Sequence, residues 1–208
     1  MTERIKKPRA FITLGRVRVH FSVPVLLALF FVGGRGDVFA ALMLSAAIHE
    51  AGHLLAIRAL GFGVAEISIT ALGAAIKRRG LTGYRHDIFI AAMGPAFSAA
   101  AFGISYALWV FGAHGEFLSL FCGLNLILCL LNLVPAWPLD GGVMMLGELY
   151  LRYDAAHARA LAFYIALSSS IALFCLGGVL FYHTGYNVSL ILISLFLLFG
   201  VSRFEKLV

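Results

Sequence analysis

Charge is what this chain has least of. Asp, Glu, Lys and Arg make up 12% of its 208 residues, hydrophobic residues make up 62%, and mean hydropathy is +0.96. Soluble domains are about a quarter charged and about half apolar, so a soluble globular domain is excluded and a membrane protein is expected. Cysteine is scarce too. Cys122, Cys129 and Cys175 lie in apolar runs with no C-x-x-C spacing, which argues against a disulfide frame and reads as small buried hydrophobes. The chain also lacks any polar stretch long enough to fold by itself, so residues 1–208 are expected to form a single integral-membrane domain.

What is present is a series of apolar runs, most near the length of about 20 residues that a helical span needs, with the first and last shorter. They cover Phe21 to Gly33, Val38 to Leu60, Ile88 to Gly112, Phe117 to Val134, Ala160 to Tyr182 and Tyr186 to Val201, with Gly, Pro or charged residues between them. The expected fold class is therefore an all-α polytopic membrane protein with six transmembrane helices. Short membrane-associated β-strands join them: "FITLGRVRVHFS" and "GVAEISITALGAAIKRR" alternate in the strand manner, with Glu66 out of step in the second. A signal peptide is the rival reading of the first run, but its basic lead (Arg4, Lys6, Lys7, Arg9) is too long for one.

Basic residues orient the spans, since cytoplasmic loops concentrate Lys and Arg. With both termini cytoplasmic, fifteen of the sixteen fall inside and Arg35 alone falls outside. Topology thus accounts for the net charge of +6, and a nucleic-acid partner is not expected.

The second run contains "AIHEAGHLLA". His49 and His53 are four residues apart and share a helix face one turn from each other, with Glu50 alongside. H-E-x-x-H is the spacing at which two imidazoles hold zinc while the glutamate handles the proton of a bound water. Satisfied core polar groups are the plain alternative, but three ionisable side chains clustered inside a span are costly and point to function. Catalytic zinc uses three protein ligands and an open position, so a third is needed. His20, Glu66, His86, Asp87, Glu148, Asp154 and His157 remain candidates on the same side of the membrane. Asp140 is the strongest, in "LLNLVPAWPLDGGVMM", where prolines and glycines break a helix at membrane depth. Such backbone is tolerated only where protein or a water-filled cavity meets it. A turn-forming Asp-Gly at the surface is the bland reading of that residue. Asn132, just before the break, is placed to donate to an oxyanion or a substrate carbonyl, with interhelical hydrogen bonding as its alternative. For Asn125, seven residues earlier, interhelical bonding is preferred.

"HEAGH" followed by "NLVPAWPLDGG", in that order and topology, resembles the site-2 protease family of intramembrane zinc metalloproteases. The six-span layout and "VRVHFS" before the first span look most like the stage IV sporulation protease subgroup. The resemblance covers nearly the whole chain. It implies one Zn2+ per chain, with His49, His53 and Asp140 as ligands, Glu50 as catalytic base, and Asn132 as the asparagine of the second motif. "MGPAFS" looks like the family's Gly-Pro element, with Ser98 where asparagine is usual. The implied activity is hydrolysis of peptide bonds in transmembrane or membrane-tethered proteins near the cytoplasmic face. A transcription-factor precursor is one such substrate. No PDZ or cystathionine-synthase-type domain is expected, which leaves regulatory membrane proteins as the control. Other function classes are a membrane metal-ion transporter and an inactive membrane scaffold. Transport favours repeated halves and polar groups spread along a path, whereas here they converge beside a general base.

Overall fold

The computed structural model describes residues 11–14, 17–20, 36–70, 73–79, 83–186 and 188–207. The expected first span, Phe21 to Gly33, lies outside the described residues. Among the described residues six helices follow it: α1 (Gly36–Ala59), α2 (Tyr84–Val110), α3 (Glu116–Asn132), α4 (Asp140–Arg152), α5 (Ala155–Thr184) and α6 (Ser189–Leu207). By length and composition α1, α2 and α5 are able to cross a membrane, while α3 and the Ser189–Val201 part of α6 are shorter apolar helices.

The burial pattern explains why the apolar runs show no amphipathic period. On α1 the buried residues are Ala41, Ser45, His49, Gly52, His53, Ala56 and Ile57, and on α5 they are Ala158, Ala162, Ala166, Ser170 and Gly177. Small and polar side chains face inward at helical spacing while Tyr164, Ile171, Leu176 and Val179 stay outside. This suits helices in lipid, where large apolar side chains gain nothing from burial and small residues let backbones approach. Gly52 illustrates the approach: a methyl group there would sit 2.3 Å from the Met93 carbonyl oxygen of α2. Cys129 is buried and Cys122 half-buried as expected, but Cys175 is exposed on α5, on the side that bulky side chains occupy. Its expected burial is corrected by the same inversion, since a helix that is apolar all round does not reveal which face is inside.

Helix ends follow local chemistry. Asp37 lies in the first turn of α1 and Arg58 in its last, complementing the helix dipole. Gly61, at φ +77, stops it: its N–H bonds to the Arg58 carbonyl at 2.9 Å and that of Phe62 to Ile57 at 2.9 Å, a glycine C-cap that turns the chain toward the sheet. Phe62 then packs with Ala56, Ile57 and Ile90.

Strands β1 (Phe11–Leu14), β2 (Val17–His20), β3 (Gly63–Thr70) and β4 (Gly73–Arg79) form one sheet in that order. β2 and β3 run parallel, and the other two pairs are antiparallel. The irregularity between Val64 and Glu66 is the position at which the sequence alternation slips. β3 is interior, with Ile69 paired to Val19 on one side and Ala74 on the other. Pairing with β2 and β4 thus occupies both sides of β3. β4 keeps an open side among the described residues.

α4 was not expected as a separate helix, because Asp140, Gly141 and Gly142 read as a break. The break lies earlier, between Leu133, which caps α3, and Leu139, which precedes α4. Pro135 and Pro138 fall there. Proline without an N–H is tolerated just before a helix, and an acidic first residue suits its positive end. Ala136 from this connection packs with Ala166, Leu197 and Val201, so α5 and α6 hold the segment that leads into Asp140. Gly200 of α6 lies against the Trp137 carbonyl, 2.9 Å from where its Cβ would be.

Candidate metal centre

α1, α2 and α4 meet where the polar residues of the HEAGH turn lie. His49 and His53 are buried, and their rings cross at 81° with centroids 5.0 Å apart. Asp140, the first residue of α4, brings Oδ2 to 3.0 Å from His49 Nε2 and 3.3 Å from His53 Nε2, and the two Nε2 atoms are 3.3 Å apart. Among the described residues these three form the group of His, Cys, Asp and Glu side chains able to hold a metal ion.

The donor set fits zinc. Bonds of about 2.0–2.1 Å at the tetrahedral angle place neighbouring ligand atoms about 3.3–3.4 Å apart. The three observed separations, 3.0, 3.3 and 3.3 Å, lie close to that edge length. Proton placement agrees. His53 Nδ1 lies 2.8 Å from the Ile90 carbonyl, which only accepts, so this nitrogen carries the hydrogen and a neutral ring presents a lone pair at Nε2. His49 Nδ1 lies 3.0 Å from Ser98 Oγ, and donating to it leaves the second Nε2 lone pair facing the first. Two lone pairs and a carboxylate converging in a buried site suit a cation. Hydrogen bonds from the far ring nitrogens are the usual means of fixing metal-binding imidazoles.

Sequence reasoning did not assign the α2 partners. Ile90, Gly94 and Ser98 follow one another at four-residue spacing along one face of α2, and all three are buried. Ser98, expected only to stand in for asparagine, contacts His49. A Cβ on Gly94 would lie 2.3 Å from His53 Nε2 and 2.8 Å from His49 Nε2, so only hydrogen fits between α2 and the rings. The signal was legible in "MGPAFS" as small residues one turn apart, but not which helix face they meet. Gly141 and Gly142 have a similar constraint, since Cβ atoms there would lie 2.4 Å from the Leu133 carbonyl oxygen and 2.7 Å from Ala136. The glycines let α4 start tightly against the preceding connection, which fixes Asp140.

The remaining candidates lie elsewhere. Glu50 follows His49 on α1 and is partly buried. Asn132 ends α3 with Nδ2 donating to the Leu128 carbonyl at 3.0 Å, so its amide is turned onto its own helix. Glu148 pairs with Arg152, and Asp154 with His157. Glu66, His86 and Asp87 do not join the metal group, and the side chain of His20 lies outside the described residues. Asn125 bonds across to Ser45 of α1, the interhelical role preferred for it.

No family model matches the chain. A site-2 protease structure from Methanocaldococcus jannaschii superposes with a TM-score of 0.68, covering 95% of this chain and 94% of that one at 22% identity. The chain has the fold of the site-2 proteases. Two curated proteins are also similar to it. The zinc metalloprotease MJ0392 of Methanocaldococcus jannaschii is 28% identical over 186 residues, which is 82% of this chain and 50% of that protein. Stage IV sporulation protein FB of Bacillus subtilis is 24% identical over 150 residues, 68% of this chain and 51% of that protein. The chain thus spans about half the length of the curated relatives it matches. Its resemblance to the site-2 proteases, first carried by "HEAGH" and "NLVPAWPLDGG", now extends to the path of the backbone.

Proposed function

We propose that the chain is an intramembrane zinc metalloprotease that cleaves membrane-spanning or membrane-tethered proteins near the cytoplasmic face. The observation that carries this reading is the convergence of His49 Nε2, His53 Nε2 and Asp140 Oδ2 within 3.3 Å of one another, with both histidines and Glu50 on a helix apolar enough to cross a membrane. His49, His53 and Asp140 would hold zinc, which would supply Lewis-acid activation of water and of the scissile carbonyl. Glu50 takes the proton of the attacking water and delivers it to the leaving amine. Asn132 donates to the developing oxyanion once its amide leaves the Leu128 carbonyl. Of the two bland alternatives, a metal carrier spreads its polar groups along a route, whereas these sit in one cluster.

In this reading Phe21 to Gly33 and the five apolar helices α1, α2, α3, α5 and α6 make six spans, and both termini are cytoplasmic. Arg58 lies five residues beyond His53, about 7.5 Å along the helix, which keeps the site near the cytoplasmic surface. A substrate helix hides its carbonyls in i to i+4 bonds and must unwind first. The open side of β4 offers the unwound segment a strand to pair with. A transcription-factor precursor fits such a substrate, and regulatory membrane proteins fit its control. The test is co-expression with candidate single-span membrane proteins, comparing the parent with Glu50→Gln. Cleavage by the parent and none by Glu50→Gln is expected. Equal processing by both removes Glu50 from the chemistry and the reading with it.

A further inference from the structure

Asn125 is an expensive residue in its place. It is fully buried, its Nδ2 donates to Ser45 Oγ at 2.9 Å and to the Phe121 carbonyl at 2.8 Å, and its Oδ1 is buried with no partner. An orphaned amide oxygen bears the full cost of its lost hydration, so an amide with one end unsatisfied is poor glue between helices. What its other end does is specific. The bond to Phe121 stays within α3, and the bond to Ser45 ties α3 to α1, one helical turn from His49 and on the same buried face.

From the α2 side the histidine turn of α1 is held by Ser98 on His49, by the Ile90 carbonyl on His53, and by the close approach of Gly52 to Met93. Ser45 and Asn125 supply a polar tether from the opposite neighbour. We infer that Asn125 is a positioning residue: acting through Ser45, it sets the rotation and height of α1 so that both imidazoles meet Asp140. The inference rests on the metal-site reading of His49, His53 and Asp140.

The test uses the full chain in detergent, with Asn125→Thr, Ser45→Ala, the double variant, and His53→Ala as reference. Threonine has nearly the size of asparagine, keeps the bond back to Phe121 through its hydroxyl, carries no orphaned amide oxygen, and does not reach Ser45. Zinc affinity is read by competition with a chelator, site geometry by the visible spectrum of the Co2+-loaded protein, and fold stability by the unfolding midpoint of metal-free protein. Expected are an unchanged or higher midpoint for Asn125→Thr, zinc affinity about tenfold lower for both single variants, a changed Co2+ spectrum, and no further loss in the double variant. Parent-like zinc affinity in both single variants overturns the inference. So does a midpoint that falls in step with affinity, because the pair is then ordinary interhelical glue. If His53→Ala binds zinc as the parent does, the metal reading itself fails and this inference falls with it. If His53→Ala loses zinc while the Asn125 and Ser45 variants keep it, only the positioning role is lost.

Discussion

Replacing Gly94 by alanine should cost the protein its metal before it costs the protein its fold. The added methyl would lie 2.3 Å from His53 Nε2, 2.4 Å from His53 Cε1 and 2.8 Å from His49 Nε2. Ordinary contact begins at 3.4 Å, so the His53 ring must move by roughly 1.1 Å (3.4 − 2.3) or α2 must withdraw. Neither is easy. His53 is held at its other nitrogen by the Ile90 carbonyl, at 2.8 Å, and α1 and α2 already touch at Gly52 and Met93. Overpacking of this kind costs about 1–3 kcal/mol, which a polytopic helical protein can survive. Metal binding is less tolerant, since ligand positions matter to about 0.2 Å. A shift several times larger at one ligand should lower zinc affinity beyond the 10–100-fold typical of changes to supporting residues. The assay is zinc affinity by chelator competition alongside the unfolding midpoint of metal-free protein. Gly103→Ala on the same helix is the control: nothing lies within 4 Å of its Cβ, and alanine there should be neutral or slightly stabilising. Parent-like zinc affinity in a folded Gly94→Ala protein would refute the argument that only hydrogen fits between α2 and the two rings.

Three further outcomes are expected. Purified protein should hold about one zinc per chain; His53→Ala and Asp140→Ala should lose it and Glu50→Gln should keep it, whereas metal and activity retained in Asp140→Ala but lost in Glu148→Ala would displace Asp140 as third ligand. At the α5 N-terminus, the hydrogen bond from His157 holds the Asp154 carboxyl below its ordinary value, and Asp154 also accepts from the Ala156 and His157 amides. A depressed carboxyl stabilises above its unfolded pKa and loses that contribution as pH falls through the folded one, so the protection of the Ala156 and His157 amides, taken against their intrinsic exchange at each pH, should fall in acid, and at neutral pH in Asp154→Ala; identical protection in parent and variant would remove the cap. In β4, where successive N–H groups alternate between β3 and the open side, one of Ala74→Pro and Ala75→Pro should reduce cleavage without lowering zinc content or stability, and strand addition is abandoned if neither does.

The candidate site residues were the most legible part of the sequence. His49, Glu50 and His53 declare themselves through local spacing, because a helix turns i, i+4 separation into a shared face whatever surrounds it. Asp140 was legible for a different reason: a carboxylate beside broken backbone at membrane depth needs a cavity or a partner. The residues that orient the site were harder to see. Ser98, Ile90 and Ser45 act through which face of α2 or α1 meets its neighbour, and the Ile90 contribution is a backbone carbonyl with no side-chain signature.

The fold divides along the same line. Apolar run length located α1, α2, α3, α5 and α6, but a run that is apolar all round contains no period to show its inner face. That face is marked by what is small: Ala158, Ala162, Ala166 and Ser170 on α5, Ser45, Gly52 and Ala56 on α1, Gly94 on α2. In water these residues would read as weak core; in lipid they are where helices touch. Cys175 lies outside and Gly94 inside for one reason: in lipid, hydrophobicity does not separate the inside of a protein from its outside. Small size and polarity at four-residue spacing make that separation, and His49 and His53 lie on the face it marks.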